Sequence, residues 1–450
     1  MNDASKVAET AAKPVVIPTE AYLSPDYARA EGRRLWPKVW QVACREEEIP
    51  DVGDYVTYDI LDESVIVVRS APDRISAYFN VCQHRGRRLT EGCGRAARFR
   101  CKFHGWVWDL EGRNTFVLDP EDWSGCLTAE NLRLQEVRVG TWGGWVWINM
   151  DPACQPLEEY LEPAIGILGP FEFEKMRYRW RQWLYVPCNW KTAVEAFNES
   201  YHLDGTHPQF LKWGSTRWTC RAENHCAWHG RGAPRGAVLG ATASTGELIA
   251  LPDQDPRIAA AEYQNMIAAT LDAATTETFV KAANRLPEEL PPGTPFAQVN
   301  AHFMASAERA DAARGVPWPK IDLAHMVTAG HDWHIFPNTV LLFGHTFVLG
   351  YRVRPHGYDP DSCIFEVYVL ERFPQGGEPK TEWVFKPDPS EESWRKVLAQ
   401  DFSNMPQVQK GMKSRGFKGP RPGPVQELSV IYFHRLLARY MGTGEPQPLA

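Results

Sequence analysis

The sequence predicts an α+β protein in which a small all-β domain precedes a larger domain of antiparallel sheet and helices. Short β-type segments fill residues 40–151 and are separated by turn residues such as Glu111-Gly112. After residue 151, strands and helices follow one another without regular βα alternation, which argues against a doubly wound parallel sheet. The chain has 450 residues, 44% of them apolar, and this is enough for two or three domains with ample core.

Four segments follow from this pattern. Ser24 is the expected N-cap of an N-terminal helix that packs on the larger domain, and Pro25 stands at its first helical position. The segments are a disordered lead (1–19), that helix (20–39), the all-β domain (40–151) and the larger domain (152–450).

Within the larger domain, hydrophobic periodicity separates strands from helices. The expected strands are 180–190, 334–355 and 363–373. The expected helices are 191–203, 255–286, 390–412 and 427–441.

Composition excludes several classes of function. The net charge of −7 gives no reason to expect nucleic acid as a partner. No run of eighteen apolar residues exists, so no membrane span is expected, and the N-terminus has no signal-peptide core. Ten cysteines in 450 residues is not a disulfide framework. A cytoplasmic protein with reduced thiols is therefore predicted.

Four residues form the most specific motif in the chain: Cys82, His84, Cys101 and His104, as C-x-H, a sixteen-residue spacer and C-x-x-H. Two thiolates can hold one iron of a [2Fe–2S] cluster and two imidazoles the other, which raises the reduction potential. The alternative is a structural zinc site, but zinc sites usually group like ligands. The mixed pairs favour a cluster that transfers single electrons.

The phrase CQHRGRRL…CKFHGWVWDLEG resembles the N-terminal domain of Rieske non-haem iron ring-hydroxylating oxygenases, large (alpha) subunit. The resemblance extends from about residue 20 to residue 440. It implies a Rieske [2Fe–2S] domain followed by a catalytic domain that holds a mononuclear Fe(II).

A second metal site is predicted around NWKTAVEAFNESYHLDGTH. Helical spacing would place Glu195, Glu199 and His202 on one helix face. Gly205 could break that helix and let His207 turn back towards His202. Two imidazoles could then share one metal. The alternative is an amphipathic helix with incidental histidines.

An oxygen-activating iron takes two histidines and one carboxylate, with open positions for O2 and substrate. The resemblance supplies the carboxylate from an acid in a late helix, which in this chain is Asp401. The competing acids are Asp204, Glu195 and Glu392.

The same resemblance implies roles for two further residues. Asn189 begins the Asn-Trp-Lys phrase of the family's catalytic-domain motif, and Glu199 stands where the family most often places Asp. That acid would link a cluster histidine of one subunit to iron-bound His202 of the next. Some family members that oxidise quaternary amines resemble this chain in carrying Glu there.

The expected function is that of the oxygenase component of a multicomponent system. It would use O2 to hydroxylate an aromatic or other apolar organic substrate, by dihydroxylation or monooxygenation. The alternative is a monooxygenase that dealkylates an N-methyl, O-methyl or quaternary ammonium substrate. The chain contains no G-x-G-x-x-G after a strand, so a separate NAD(P)H-dependent reductase would supply electrons, directly or through a ferredoxin. Head-to-tail contacts could close into a ring, and the resemblance implies that this ring is a homotrimer, with or without a small beta subunit.

Four tryptophans flank the segments expected to form the substrate pocket. Core packing is the preferred interpretation for them, because aromatic side chains dominate core burial. Residues 253–315 could form a roof over the site. The tryptophans are Trp213, Trp218, Trp228 and Trp333.

Overall fold

The N-terminal segment is extended before it becomes helical. The computed structural model describes residues 8–213, 215–235 and 254–449. Strand β1 (Val15–Val16) pairs antiparallel with the late segment Gln447–Pro448. Val15 and Ile17 are buried, and the Ile17 N–H donates to Pro420 O at 3.0 Å. The prediction of a disordered lead is therefore wrong for residues 8–19, because this segment buries apolar side chains and finds backbone partners far along the chain. Residues 1–7 lie outside the described part.

The predicted N-terminal helix is divided into two, α1 (Glu20–Leu23) and α2 (Pro25–Arg34). Ser24 is extended between them, and its hydroxyl accepts a hydrogen bond from the Tyr27 N–H at 3.2 Å. Ser24 therefore acts as the predicted cap. Ala21 and Tyr22 of α1 pack in one apolar cluster with Met412 and Val430.

The chain divides into two compact units. One comprises residues 29–160 and the other comprises residues 1–28 and 161–450. The all-β domain predicted for residues 40–151 falls inside the first unit.

The first unit is built on antiparallel strands. Seven strands form one sheet in the order β2-β11-β10-β5-β4-β3-β6, and three form a second in the order β7-β8-β9. Its core includes Ile66, Val68 and Trp108 together with the thiols of Cys82 and Cys101. The elements are β2 (Gln41–Arg45), β3 (Asp54–Ile60), β4 (Glu63–Ala71), β5 (Arg74–Phe79), β6 (Cys93–Arg95), β7 (Phe99–Arg100), β8 (Val107–Trp108), β9 (Asn114–Phe116), α3 (Ala129–Leu132), β10 (Glu136–Trp142) and β11 (Trp145–Asn149).

The second unit contains an eight-stranded sheet in the order β13-β14-β15-β16-β17-β18-β12-β19. All of its pairings are antiparallel except that of β12 with the edge strand β19. The strands are β12 (Arg177–Val186), β13 (Ser215–Glu223), β14 (Cys226–Arg235), β15 (Asp332–Ile335), β16 (Thr339–Phe343), β17 (Phe347–Pro355), β18 (Cys363–Glu371) and β19 (Val384–Phe385), and the late segment Gln447–Pro448 is β20.

Helices lie before, between and after these strands. The helices predicted at 390–412 and 427–441 are confirmed, and the one predicted at 255–286 is present as two helices, α8 (Pro256–Thr270) and α9 (Glu277–Glu289). Together with the sheets they make an α+β fold. None of the helices in the described ranges is long and apolar enough to cross a membrane. The helices are α4 (Leu157–Leu161), α5 (Ala164–Leu168), α6 (Trp190–Glu195), α7 (Leu203–Thr206), α8 (Pro256–Thr270), α9 (Glu277–Glu289), α10 (Phe296–Ala313), α11 (Leu323–Ala329), α12 (Glu391–Met412) and α13 (Leu428–Met441).

The two faces of the large sheet differ in what they carry. Directly paired residues of an antiparallel sheet share a face, and neighbours along a strand alternate. His334, Val340 and Tyr351 are paired in register and define what we name the Tyr351 face. Phe197, which follows α6, packs on it, with its ring centroid 4.3 Å from that of Tyr351. Trp333 points to the opposite face.

Candidate metal centres

The first candidate centre lies on two loops of the first unit that share one turn geometry. The Cys82 N–H donates to Arg87 O at 2.8 Å, and the Gly86 N–H donates back to Cys82 O at 3.0 Å. In the second loop the Gly105 N–H donates to Cys101 O, also at 3.0 Å. Both glycines have positive φ, +75° and +79°, which side chains rarely tolerate. Each glycine thus closes a loop around its cysteine.

The four side chains predicted to hold the cluster are brought together by these loops. Cys82 and Cys101 are buried in the core, and the rings of His84 and His104 lie 4.6 Å apart. His84 stacks on Trp106 at 4.8 Å, and its Nδ1 atom is buried without a hydrogen-bond partner among the described residues. A buried imidazole nitrogen without a partner is costly unless it binds a metal. Two thiols and two imidazoles fit a [2Fe–2S] cluster.

Burial raises the pKa of the Cys82 thiol, although the backbone N–H groups of His84 and Arg85 act in the opposite direction. The apolar surroundings therefore favour the neutral thiol. Since metals bind the thiolate, iron binding at this residue would release a proton.

The second candidate centre is formed by His202, His207 and Asp401, whose ligand atoms all lie within 4.8 Å of one another. Asp401 Oδ1 is 3.1 Å from His207 Nε2 and 3.9 Å from His202 Nε2. Ligands about 2.1 Å from one metal and at right angles to each other would be ~3 Å apart. The closer pair matches this spacing, so a metal could be held with a small movement of His202.

The acid that the family resemblance implied, Asp401, is the one that the fold brings to the two histidines. Asp401 lies on α12 and is buried. Of the competing acids, Glu195 is occupied elsewhere, and Glu392 is exposed in the first turn of α12.

Hydrogen bonds at Nδ1 orient both imidazoles. His202 Nδ1 is 2.6 Å from Glu199 Oε1, and His207 Nδ1 is 2.8 Å from Gln400 Oε1. A carboxylate and an amide oxygen only accept, so each Nδ1 carries a proton, and Nε2 is the atom of each ring that would bind a metal. This arrangement of acceptors suits a metal at the Nε2 atoms.

The pKa values within the Glu199–His202 pair are mutually shifted. Burial alone would lower the pKa of His202, but the adjacent Glu199 and nearby Asp401 raise it to about 9. Burial likewise opposes ionisation of Glu199, yet His202 and the N–H groups of residues 201 and 202 bring its pKa below the ordinary value. The protein thus places negative charge around a position suited to a cation.

One sequence prediction about this region is wrong. Glu195, Glu199 and His202 do not share one helix face, because α6 ends at Glu195. The Glu195 carboxylate accepts from the Tyr22 hydroxyl at 2.8 Å and lies 2.6 Å from His434 Nε2. Glu199 lies in the irregular segment that follows, where its carboxylate accepts from the His202 N–H at 3.1 Å. A side chain that bonds to the backbone in this way competes with continued helix.

Asn189 caps a helix in this structure. Its side-chain oxygen accepts from the Lys191 N–H at 3.1 Å and caps α6, as the N-cap preference of Asn favours. Its amide group donates to Tyr22 O at 2.9 Å and Pro360 O at 3.1 Å. These contacts with the backbone give Asn189 a structural role, and its catalytic role stays a prediction.

The four tryptophans singled out in the sequence are all buried. Trp228 and Trp333 are paired in register and stack at 4.6 Å on the side of the sheet opposite to the Tyr351 face. Trp333 Nε1 donates to Ala329 O of α11 at 2.7 Å. These two therefore pack away from the metal-binding side. Of the predicted roof, residues 254–315 form α8, α9 and α10, and residue 253 is outside the described part.

Sequence reasoning missed Gln400 and a buried polar pair, Asp332 and His229. Gln400 directly precedes Asp401 on α12, and this adjacency was the available signal. Asp332 begins the strand Asp-Trp-His-Ile, and His229 is its cross-strand partner. That pairing could not be read from one sequence.

Comparison with known proteins agrees with this geometry. Residues 39–121 match the Rieske [2Fe-2S] domain, and residues 172–443 match the ring hydroxylating alpha subunit (catalytic domain). The carnitine monooxygenase oxygenase subunit of Escherichia coli (strain K12) is 30% identical over 198 residues, 43% of this chain and 52% of the relative. The benzene 1,2-dioxygenase alpha subunit of Pseudomonas putida is 30% identical over 197 residues, 41% of this chain and 42% of that subunit.

These matches span only about half the length of the curated relatives. A crystal structure of a naphthalene 1,2-dioxygenase mutant bound to phenanthrene is similar over 98% of this chain and 96% of the other. Its TM-score is 0.64 at 18% sequence identity, which shows a shared fold. The domain matches cover both candidate centres, and the chain belongs to the family of ring-hydroxylating alpha subunits with an N-terminal Rieske [2Fe–2S] domain.

Proposed function

We propose that this chain is the oxygenase component of a multicomponent Rieske non-haem iron oxygenase. It would use O2 and reductase-supplied electrons to hydroxylate an aromatic or other apolar organic substrate. The observation that carries the proposal is the convergence of His202, His207 and Asp401 in a chain that also holds the Cys82 and Cys101 loops. A one-electron relay and an open two-histidine, one-carboxylate site together fit oxygen activation.

Each residue has a defined part in this function. Cys82 and Cys101 would hold one iron of the cluster, and His84 and His104 the other. The mononuclear iron, when bound by the triad, supplies open coordination positions for O2 chemistry. Glu199 holds the His202 ring by its Nδ1 proton, and Gln400 holds that of His207. These two acceptors keep both Nε2 atoms aimed at one point.

Electron transfer between subunits would pass through Glu199. One of its oxygens is engaged by His202, and a carboxylate can accept further hydrogen bonds. A cluster histidine of a neighbouring copy would donate an additional hydrogen bond to this carboxylate. Such a head-to-tail contact closes into a ring, for which we propose a homotrimer. A separate NAD(P)H-dependent reductase, directly or through a ferredoxin, would deliver electrons, and a small beta subunit is a further candidate partner.

Iron counting tests the proposed centres. The purified chain should contain three irons, show the red-brown colour of a cluster, and form product only with a surrogate reductase and O2. Asp401→Ala should retain two irons and the cluster colour but lose product, because the mononuclear site loses its carboxylate. Glu392→Ala, an exposed acid on the same helix, is the matched control.

Other iron counts would contradict the proposal. A colourless protein would indicate a zinc site, and a wild-type chain with two irons would be an electron carrier. Three irons in Asp401→Ala would remove Asp401 from the ligand set.

Dealkylation of an N-methyl, O-methyl or quaternary ammonium substrate is the second candidate reaction. It is favoured by Glu199, since the resemblance connects Glu at this position with oxidation of quaternary amines, and by a relative named as a carnitine monooxygenase. Labelled O2 distinguishes the reactions: two labelled oxygens in one product indicate dihydroxylation, whereas a demethylated product without label, released together with labelled formaldehyde, indicates demethylation.

A further inference from the structure

Asp332 is a buried carboxylate to which the proposed reaction assigns no role. It begins β15 on the Tyr351 face, since it lies two residues before His334 on the same strand. It is 5% exposed, and its Oδ1 has no hydrogen-bond partner in the described structure. His229 Nδ1 lies 3.8 Å from Oδ2, and that nitrogen also has no hydrogen-bond partner among the described residues. The pair is close but not hydrogen bonded.

The surroundings of Asp332 connect it to the metal-binding side. Burial raises the pKa of Asp332 well above its ordinary value, and the charge of Glu199 adds to the shift. Tyr351, on the same face, has its pKa raised by burial and then by Asp401 and Asp332. Asp332 therefore shares a sheet face with Tyr351, and both residues interact electrostatically with carboxylates of the metal-binding side.

The charges around this space are unbalanced. Among the described residues, the charged neighbours that shift the pKa values of Asp332, His229 and Tyr351 are carboxylates and histidines. A divalent metal at the triad would compensate for Asp401 and Glu199. Asp332 would then remain as a carboxyl group without a fixed partner, and a cation beside it would favour its ionised form. A buried carboxylate is costly unless a cation joins it.

We propose that Asp332 anchors a cationic nitrogen of the substrate, with His229 beside it, and so determines specificity for amines or quaternary ammonium compounds. The inference rests on the proposed oxygenase function and narrows its substrate class. Asp332 acts here by binding the part of the substrate that does not react. The apolar side chains of the Tyr351 face, such as Leu342 and Leu349, would contact the rest of the molecule.

Binding of two isosteric probes tests the charge preference directly. Choline and 3,3-dimethylbutan-1-ol have the same shape and differ in charge, and their affinities for the iron-loaded protein can be measured by titration calorimetry. Wild-type protein should bind choline at least about 30-fold more tightly, since a buried charge pair is lost with the alcohol. Absence of this preference in the wild type overturns the proposal without any variant.

Asp332→Asn keeps the shape of the side chain and removes its charge, so it should bind both probes about equally. Glu371→Gln is the matched control, because Glu371 is a buried acid on β18 that pairs with Arg179. This variant should keep the preference for choline. A preserved preference in Asp332→Asn would overturn the assignment. Iron content and O2-dependent product formation distinguish the two proposals. If the wild-type protein binds three irons and forms product but does not prefer choline, the proposed role of Asp332 is wrong and the proposed oxygenase function is not.

Discussion

Glu199 combines three contacts in one side chain. One oxygen holds His202 by its ring, and the other accepts the backbone N–H of His202 at 3.1 Å. It also accepts from the Tyr201 N–H. The carboxylate is thus fixed in place before any neighbouring subunit approaches it. Its rigidity suits a bridge, because a positioned acceptor loses little freedom when a second donor arrives.

Glu199→Gln should lower product formation by about 10- to 100-fold while the protein retains three irons, since outer hydrogen bonds of metal ligands typically contribute this much. The amide keeps the shape but loses the charge that holds the His202 ring and a partner's histidine. The measurement is the rate of mononuclear-iron reduction by the reduced cluster in single turnover. Glu392→Gln should behave as wild type. An unchanged rate in Glu199→Gln would show that electrons take another route.

The site residues that the sequence predicted best are those whose interactions lie within one short loop. The cluster ligands were found because each pair lies within one short loop that its own glycine closes. Asp401 needed a resemblance, because nothing local connects it to His207. Gln400 and Asp332 act through partners on other elements, and one sequence does not reveal such pairings.

The elements were predicted well where burial is periodic. The segment expected as strand at 334–355 contains the end of β15, all of β16 and all of β17, and the segment expected at 363–373 contains β18. The helix expected at 191–203 ends early, because α6 stops at Glu195. The Glu195 side chain contacts Tyr22 and His434, and the Glu199 carboxylate accepts from the His202 N–H. Tertiary and local side-chain contacts override helical spacing there.

Close packing between β17 and β18 yields a stability prediction. A Cβ atom at Gly350 would lie 2.2 Å from the Tyr368 ring. Gly350→Ala should therefore reduce the free energy of unfolding by about 1–3 kcal/mol, as overpacking does. Gly411→Ala, within α12 and with no neighbouring atom inside 4 Å, should not destabilise the protein. Denaturant titration of both variants measures this. Equal stability of Gly350→Ala and wild type would mean that the tyrosine ring moves aside.

At the scale of the whole molecule, buried neutral histidines control acid stability. Burial lowers the pKa values of His229, His334 and His345 to about 4 each. An unfolded chain would protonate them near pH 6.5. Between about pH 6.5 and 4 the unfolded state therefore binds more protons, and the free energy of unfolding falls as the pH is lowered.

His345→Phe should flatten this dependence by up to about 1.4 kcal/mol per pH unit, because one titrating group is removed while an aromatic ring can still pack against Trp318. Urea midpoints measured at pH 6.5, 5.5 and 4.5 supply the slope. The same comparison above about pH 7.5 is the control, since neutral histidines bind no protons in either state. Parallel curves for the two proteins over the acid range would contradict the assignment.

The mononuclear triad joins parts of the chain that are synthesised far apart in time. His207 and Asp401 are separated by 193 residues, whereas Cys82 and Cys101 are separated by only 18. A ribosome can release both cluster loops early. Asp401, the third residue of the triad, emerges only after α8, α9, α10 and the strands of the large sheet. Maturation would therefore be ordered, with the electron relay assembled before the centre that it serves. A half-made chain could hold reducing equivalents but would have no oxygen-binding metal to receive them.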